Sequence, residues 1–246
     1  MSGARNESFQ RFAAVTAIIS APFSYLLTFT LLQAVSFDFT ILGTPSELIA
    51  IGKSGALVFK WTMFSDILGQ YFLLLPLVLF LWYWLRPTAH LAVTLLTIGG
   101  VVYVFIGALG VSINAAVFPD LMTQYADAGP ERRAALEIVF TVFANATMVG
   151  LWGIFVRLVG GLYWIGIGIL LRRERRYVGY FTILVGLLAL LSTLGNVLQI
   201  APIIGLGTLG YLLGFPLWAL WLGIVLYRNP SIAPVEAAEP ATTATE

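Results

Sequence analysis

The chain has 246 residues, of which 59% are hydrophobic and 10% charged, with a formal net charge of +1 and a mean hydropathy of +0.93. This composition excludes an ordinary soluble domain, which would expose large apolar patches, and a basic surface for nucleic acid. Because the sequence has no cysteine, disulfides, thiolate metal sites and iron–sulfur clusters are excluded as well.

The apolar runs predict an all-α integral membrane protein, because about 20 mostly apolar residues cross the hydrocarbon core as a helix. The first run is too long for the apolar region of a signal peptide, so we expect it to be retained as a span. The six predicted spans are residues 12–35, 61–85, 90–117, 150–171, 177–199 and 206–227.

Arginines alternate with these spans. They precede the first span, follow the second and the fourth, and follow the last. Short loops rich in Lys and Arg stay on the cytoplasmic side. The sequence therefore predicts a six-transmembrane-helix bundle with both termini cytoplasmic. The arginines concerned are Arg5, Arg11, Arg86, Arg172, Arg173, Arg175, Arg176 and Arg228.

Residues 134–171 are ambiguous, because they are more than one vertical span needs and too few for two comfortable spans with a turn. Two crossings would move the 172–176 arginine cluster to the side opposite Arg86. A single crossing at 150–171 is therefore preferred, and residues 131–149 are predicted to form an external amphipathic helix. Two crossings remain the alternative.

Two further segments outside the spans carry local signals of their own. The pattern Thr44-Pro45-Ser46-Glu47 is a capping box with proline at the first helical position, so a short helix is expected to begin at Pro45 on the outer surface. Residues 229–246 are rich in Ala, Pro, Thr and Glu, which predicts a disordered cytoplasmic tail.

Two residues that carry a charge at neutral pH lie within the predicted spans, Asp66 in the second and Arg157 in the fourth. Charged groups in a bilayer are costly, so they usually face the bundle interior and often mark a site. The predicted topology places both residues in the outer half of the membrane, where they can meet.

Further polar residues of the predicted spans also lie in the outer half of the membrane. Gln70 lies one helical turn after Asp66 and on the same helix face. The inner halves of the spans, by contrast, are almost wholly apolar. This pattern predicts a polar cavity open to the outside above an apolar floor. The candidate ligand-binding residues are Asp66, Arg157, Gln70, Asn114, Asn196 and Gln199.

The leading hypothesis is a membrane protein that binds a small polar or amphipathic ligand, for uptake or sensing. Two opposite charges would suit a zwitterion. The main alternative is an accessory subunit that docks a partner helix through its Gly/Ala faces, with the polar cluster holding its own helices together. The small residues of those faces are Gly210, Gly214, Ala13, Ala17 and Ala21.

An intramembrane enzyme is the third hypothesis. The sequence has no zinc-binding HExxH motif, Walker A loop or nucleophile elbow. Its only histidine, His90, is expected at the cytoplasmic edge, away from the polar cluster. No catalytic residue, metal ligand or cofactor is therefore predicted, and enzymatic activity is not expected.

Two stretches resemble a bacterial family of six- or seven-helix membrane proteins whose function is unknown. They are residues 61–85, with Asp66 before a Leu-rich run, and residues 161–173, GLYWIGIGILLRR. The resemblance rests on hydropathy and glycine placement, and it implies a bacterial plasma-membrane location without an assigned activity. A looser similarity links the small-residue ridge of the first span to the six-helix substrate-capture subunits of vitamin importers.

Overall fold

The structure is a computed structural model that describes residues 2–34 and 45–229. In these ranges the chain is helical except for short turns, and it contains no strand. Residues 230–246 of the predicted tail and Thr44 of the capping pattern lie outside the described residues.

Seven α-helices, interrupted by shorter 3-10 and π-helical segments, make up the described ranges. In chain order they are α1 (Ser2–Ala34), a 3-10 helix (Pro45–Ile51), α2 (Gly52–Asp66), a π-helix (Ile67–Tyr71), a 3-10 turn (Phe72–Leu74), α3 (Leu75–Asp127), α4 (Pro130–Ala144), a second π-helix (Asn145–Val156), α5 (Arg157–Glu174), α6 (Arg176–Leu198) and α7 (Ala201–Arg228).

The helices are those of a membrane protein. Among the described residues five helical segments are long and apolar enough to cross a bilayer, and large apolar side chains such as Leu91, Ile138 and Leu206 are exposed on their outer faces. The all-helical membrane class predicted from the sequence is therefore confirmed. The five segments are Glu7–Thr30, Gly55–Asp127, Pro130–Glu174, Arg176–Leu198 and Ala201–Arg228.

The second of these segments, 73 residues long, folds back on itself at Ala89. Ala89 has φ −157° and ψ 66°, two residues after Pro87, which has no N–H to continue the helix. The two arms then run antiparallel. Their contacts are the hydrogen bond from Trp82 Nε1 to Thr94 Oγ1 at 3.2 Å, the stacked rings of Phe59 and Phe118 at 5.7 Å, and the ion pair of Lys53 with Asp127 at 2.7 Å.

Residues 130–174 form one helical segment that pairs with the second arm of α3 along its length. Near its start Arg132 donates to Gln124 at 3.1 Å, and further along Trp152 donates to the Gly107 carbonyl at 3.4 Å. The exposed face of α4 is charged as far as Glu137 and apolar from Ile138 onward. The segment predicted to be an external helix thus continues without a turn into the predicted span.

Helices α5, α6 and α7 pack through glycine. A Cβ at Gly168 would lie 2.9 Å from the Gly179 carbonyl oxygen, and one at Gly161 would lie 3.0 Å from the Gly186 oxygen. Gly223 of α7 lies equally close to the Ala14 carbonyl of α1. Such contacts let helix backbones approach closely in a membrane.

These pairings place the arginine-rich turns at one end of the bundle, called here the arginine end. Gln10 near the start of α1 donates to the carbonyls of Leu226 and Asn229 at the end of α7, at 2.8 and 2.6 Å. Phe9 contacts Phe80, near the Ala89 turn, with ring centroids 5.9 Å apart. Arg86, Arg172, Arg173, Arg175, Arg176 and Arg228 all lie there.

The short helix predicted at Pro45 begins at that residue, but it is a 3-10 helix of seven residues. It lies at the end of the bundle opposite the arginine end, where α2 begins. Leu48 and Ile49 are buried, with exposed fractions of 3% and 4%. Because its apolar side chains turn inward, this segment covers the helix ends beneath it.

Candidate functional site

The acidic side of the site is built where a regular helix gives way to other helical forms. Asp66 is the last residue of α2, and Gln70 lies in the π-helix Ile67–Tyr71 that follows. Pro76 is compatible with the 3-10 turn Phe72–Leu74 that comes next, because it has no N–H to donate to the Phe72 carbonyl. Single π-helical turns within α-helices are frequent at functional sites.

Two polar residues close to Asp66 in α2 donate hydrogen bonds to α1. Thr62 donates to Thr30 at 2.9 Å, and Ser65 donates to the Phe23 carbonyl at 2.9 Å. A Cβ at Gly69 would lie 2.6 Å from the Ser24 nitrogen, so α1 packs directly on this turn. Asp66 and Gln70 instead line an internal cavity.

The basic side of the site has a similar construction. Arg157 is the first residue of α5, directly after the π-helix Asn145–Val156. The indole of Trp152 in that π-helix is held by its hydrogen bond to α3. Gly153 lies where a Cβ would be 3.0 Å from the Asn196 amide, which brings α6 against the same turn.

A cavity of about 100 Å³ lies between these two π-helical segments. It lies in the half of the bundle opposite the arginine end, because Leu48 of the 3-10 helix and Ile204 near the α6–α7 turn both line it. Its polar lining consists of Asp66, Gln70, Tyr71, Tyr103, Arg157, Ser192, Asn196, Thr208 and Tyr211. Its apolar lining consists of Leu27, Leu48, Met63, Met148, Val149, Trp152, Val156, Ile204 and Leu212, with Gly153.

The two charged residues of the cavity do not form an ion pair. The only ion pair among the described residues is that of Lys53 with Asp127. Asp66 Oδ1 and Arg157 Nη1 are both buried, and neither has a hydrogen-bond partner. Arg157 places its guanidinium carbon 4.0 Å from the centre of the Tyr211 ring.

Aromatic residues form the side of the cavity toward the arginine end. The hydroxyls of Tyr103 and Tyr211 are 2.7 Å apart and share a hydrogen bond, and the ring centroids of Tyr71 and Tyr103 are 5.3 Å apart. The buried ring of Trp164 lies beyond them, 4.8 Å from Tyr103 and 5.6 Å from Tyr211. The sequence predicted an apolar floor for the cavity, whereas the structure places tyrosine hydroxyl groups there.

Other polar residues of the lining are bonded within the protein. Ser192 and Thr208 share a hydrogen bond at 2.8 Å between α6 and α7, and the Asn196 amide nitrogen donates to the Ser192 carbonyl at 2.8 Å. These bonds fix the wall opposite the π-helical segments. They leave Asp66 and Arg157 as the charged groups of the cavity with unpartnered atoms.

The structure brings four of the six predicted ligand-binding residues to one cavity and leaves two elsewhere. Asp66, Gln70, Arg157 and Asn196 line it. Asn114 is fully buried, does not line the cavity, and has no partner for either of its side-chain polar atoms. Gln199 is exposed and ends α6 in a left-handed conformation, with φ 56° and ψ 39°.

Sequence reasoning missed several lining residues. Thr208 and Tyr211 lie three residues apart on α7, a spacing that places both on one helix face and could have revealed them. Leu48 had no such signal, because its position depends on how a short external segment folds back over the bundle.

No group of three or more acidic, histidine or cysteine side chains suited to a metal ion occurs among the described residues. The site is thus a partly enclosed cavity lined by both polar and apolar side chains, with one carboxyl and one guanidinium group that do not pair. The chain matches no protein-family model, and no curated protein or solved structure matches it either.

Proposed function

We propose that the chain crosses a bacterial plasma membrane six times, with both ends of its described part in the cytoplasm. The fold-back at Ala89 supports this proposal, because it divides the segment Gly55–Asp127 into two arms. The positive-inside rule assigns the arginine end to the cytoplasm. Cations at the opposite end are accompanied by acids, as in the pair of Lys53 with Asp127. The bacterial location rests on the resemblance in hydropathy.

Single cysteines in this cysteine-free chain test the topology. Gly129→Cys and Gln199→Cys lie on the proposed outer side, and Thr88→Cys and Glu174→Cys on the inner side; all four positions are exposed. A membrane-impermeant maleimide should label the first two in intact cells and the other two only after permeabilisation. Labelling of Glu174→Cys in intact cells would contradict the proposal.

For the function, we propose that the cavity binds a small ligand carrying both a positive and a negative group, for uptake or sensing. The observation that carries this proposal is the unpaired state of Asp66 and Arg157, which line one cavity without touching. A buried charge without a partner costs free energy. A ligand whose positive group meets Asp66 and whose negative group meets Arg157 supplies the missing partners, and this stabilises the bound state.

The alternative is that the polar cluster only holds helices together. Interhelical polar contacts stabilise membrane bundles by roughly 0.6–2 kcal/mol each, but only where the bond is made. The bonds Ser192–Thr208 and Thr62–Thr30 serve that purpose here. Asp66 and Arg157 make no such bond to each other, which favours a ligand over a purely structural role.

The alternative of a docked partner helix relied on small-residue faces. Ala13, Ala17 and Ala21 are almost wholly buried within the chain, and Gly210 faces Leu188 of α6. The described helices therefore already use these faces for one another. This arrangement supports binding of a ligand rather than docking of a partner helix at these positions.

The lining narrows the ligand chemistry. One carboxylate and one guanidinium favour a ligand of zero net charge with separated ends, and the apolar wall favours carbon between or around them. The volume limits the ligand to a small molecule, or to a headgroup that extends out of the open side of the cavity, because about 100 Å³ is less than the roughly 150 Å³ of apolar cavities that accommodate benzene.

Native mass spectrometry of the gently extracted protein tests the proposal. The wild-type chain should retain a small molecule, and Asp66→Asn or Arg157→Gln should lose it while remaining folded. Asp127→Asn and Arg133→Gln are matched controls, because they remove the same charges from exposed positions. Retention by the cavity variants would contradict the proposal, whereas an empty wild type that copurifies with other subunits would favour the accessory-subunit alternative.

A further inference from the structure

We propose that the positive group of the ligand is a methylated ammonium rather than a primary ammonium. This inference rests on the proposed function and names the class of ligand: a zwitterion whose quaternary nitrogen lies by Asp66 and whose anionic group meets Arg157. Carboxylate and phosphate are both suitable anions, so the ligand is either a free betaine-type solute or a phosphocholine headgroup.

The first step of the argument is that this cavity already contains one cation–aromatic contact. Arg157 lies over the Tyr211 ring at 4.0 Å, within the range of an attractive cation–π contact. Three further aromatic side chains, Tyr71, Tyr103 and Trp152, line the same small cavity. A second cation entering it therefore meets a wall rich in aromatic carbon.

The second step concerns hydrogen bonds. A primary ammonium has three N–H donors that need acceptors once water is removed. Several polar side chains of the lining are already bonded to one another, namely Ser192 with Thr208 and Tyr103 with Tyr211. A quaternary ammonium has no N–H to satisfy, and recognition of such cations by aromatic cages next to a carboxylate is a known use of cation–π contacts.

The third step concerns the methyl groups. Met63 and Met148 line the cavity together with Leu27 and Leu48. Apolar and polarisable side chains make favourable contacts with methyl groups and adapt to their shape. Methylation replaces the strongly hydrated N–H groups of the cationic end with methyl groups, which pack against these apolar side chains.

The test compares ligand pairs that differ only in three methyl groups. The purified full chain in dodecyl maltoside is titrated calorimetrically with glycine and with trimethylglycine, and then with the phosphodiesters glycerophosphoethanolamine and glycerophosphocholine, which have zero net charge as lipid headgroups do. In at least one pair the trimethylated member should bind about tenfold or more tightly, because desolvated cation–π contacts are of that size. A preference confined to the phosphate pair identifies a lipid headgroup, and one that includes trimethylglycine identifies a free solute.

Variants of Trp152 sharpen the comparison. Trp152→Leu should bring the affinity ratio within a pair close to one, whereas Trp152→Phe, which keeps a ring, should preserve most of it. Trp221→Leu is the matched control, because Trp221 is an exposed tryptophan of α7 outside the cavity.

Two results would overturn the inference. Equal or tighter binding of the unmethylated member in both pairs rejects the methylated class and leaves the proposed function standing. If none of the four probes binds, the inference also fails. Native mass spectrometry then shows separately whether the cavity holds some other molecule, and an empty wild type removes the proposed function as well.

Discussion

The α6–α7 contact and the cavity wall formed by the two π-helical segments differ in helix regularity and in the hydrogen bonding of their buried polar groups. In α6 and α7 no buried side-chain polar atom lacks a hydrogen-bond partner, and both are regular α-helices. Trp218 donates to Thr182 at 2.8 Å there. The cavity wall is irregular, and Asp66 and Arg157 beside it have unpartnered atoms.

This difference separates the residues that stabilise the bundle from those that we propose bind a ligand. Close glycine packing fixes α5 on α6, and completed hydrogen bonds of the buried side chains fix α6 and α7. That rigid region lets the other wall keep costly groups at a cavity. Functional sites commonly break the local rules that the rest of a chain obeys. The comparison predicts that substitutions in the two regions change different measured quantities.

The largest effect is expected from Gly179→Leu. A Cβ at Gly179 would overlap the backbone of Arg172, which no side-chain rotation relieves, so α5 and α6 must separate. We expect a loss of roughly 3 kcal/mol or more in stability. Thermal unfolding in detergent measures it, and Gly205→Leu is the control, because a Cβ at Gly205 meets no atom within 4 Å. Equal unfolding temperatures for the two variants would refute the packing argument.

An intermediate effect of opposite sign is expected from the double variant Asp66→Asn/Arg157→Met without ligand. Replacing the buried Asp66 and the partly buried Arg157 by neutral groups removes their desolvation cost. Replacement of buried ion pairs by apolar residues stabilises proteins by about 1–4 kcal/mol in measured cases. The ligand-free unfolding temperature should therefore rise, while ligand retention in native mass spectrometry disappears. A lower unfolding temperature would instead show that the charges hold the helices together.

The smallest effect is expected from Trp218→Phe. The substitution keeps a buried ring and removes the hydrogen bond to Thr182, which should lower stability by about 1 kcal/mol. Trp221→Phe is the control, because Trp221 is partly exposed and its indole nitrogen makes no hydrogen bond to a described residue. An identical unfolding temperature for the wild type and Trp218→Phe would show that this bond contributes nothing measurable.

Part of the site could be predicted from particular residues. Asp66 and Arg157 are identifiable because charge within an apolar run is rare and therefore informative. Gln70 followed from its spacing after Asp66, and both line the cavity. Asn114 and Gln199 were predicted by the same reasoning and lie elsewhere, because polarity shows that a side chain needs a partner without showing where that partner is.

Helical periodicity fails beyond the π-helical segments. An α-helix turns about 100° per residue, so each extra residue accommodated by a π-helical turn rotates everything after it relative to a regular α-helix. The segment Asn145–Val156 precedes Arg157, and a regular period across it misplaces the faces that follow. Gly160 contacts Tyr103 of α3, whereas Gly161 packs on α6.

The sequence alone determined the membrane class, the apolar helices and the uneven placement of arginine, because the cost of moving a residue between water and lipid depends mainly on that residue. Only the tertiary structure decided which helix faces meet, how Leu48 covers the cavity, and that Asp66 and Arg157 share a cavity without pairing. Those features depend on close contacts between distant residues and on two local departures from regular helix.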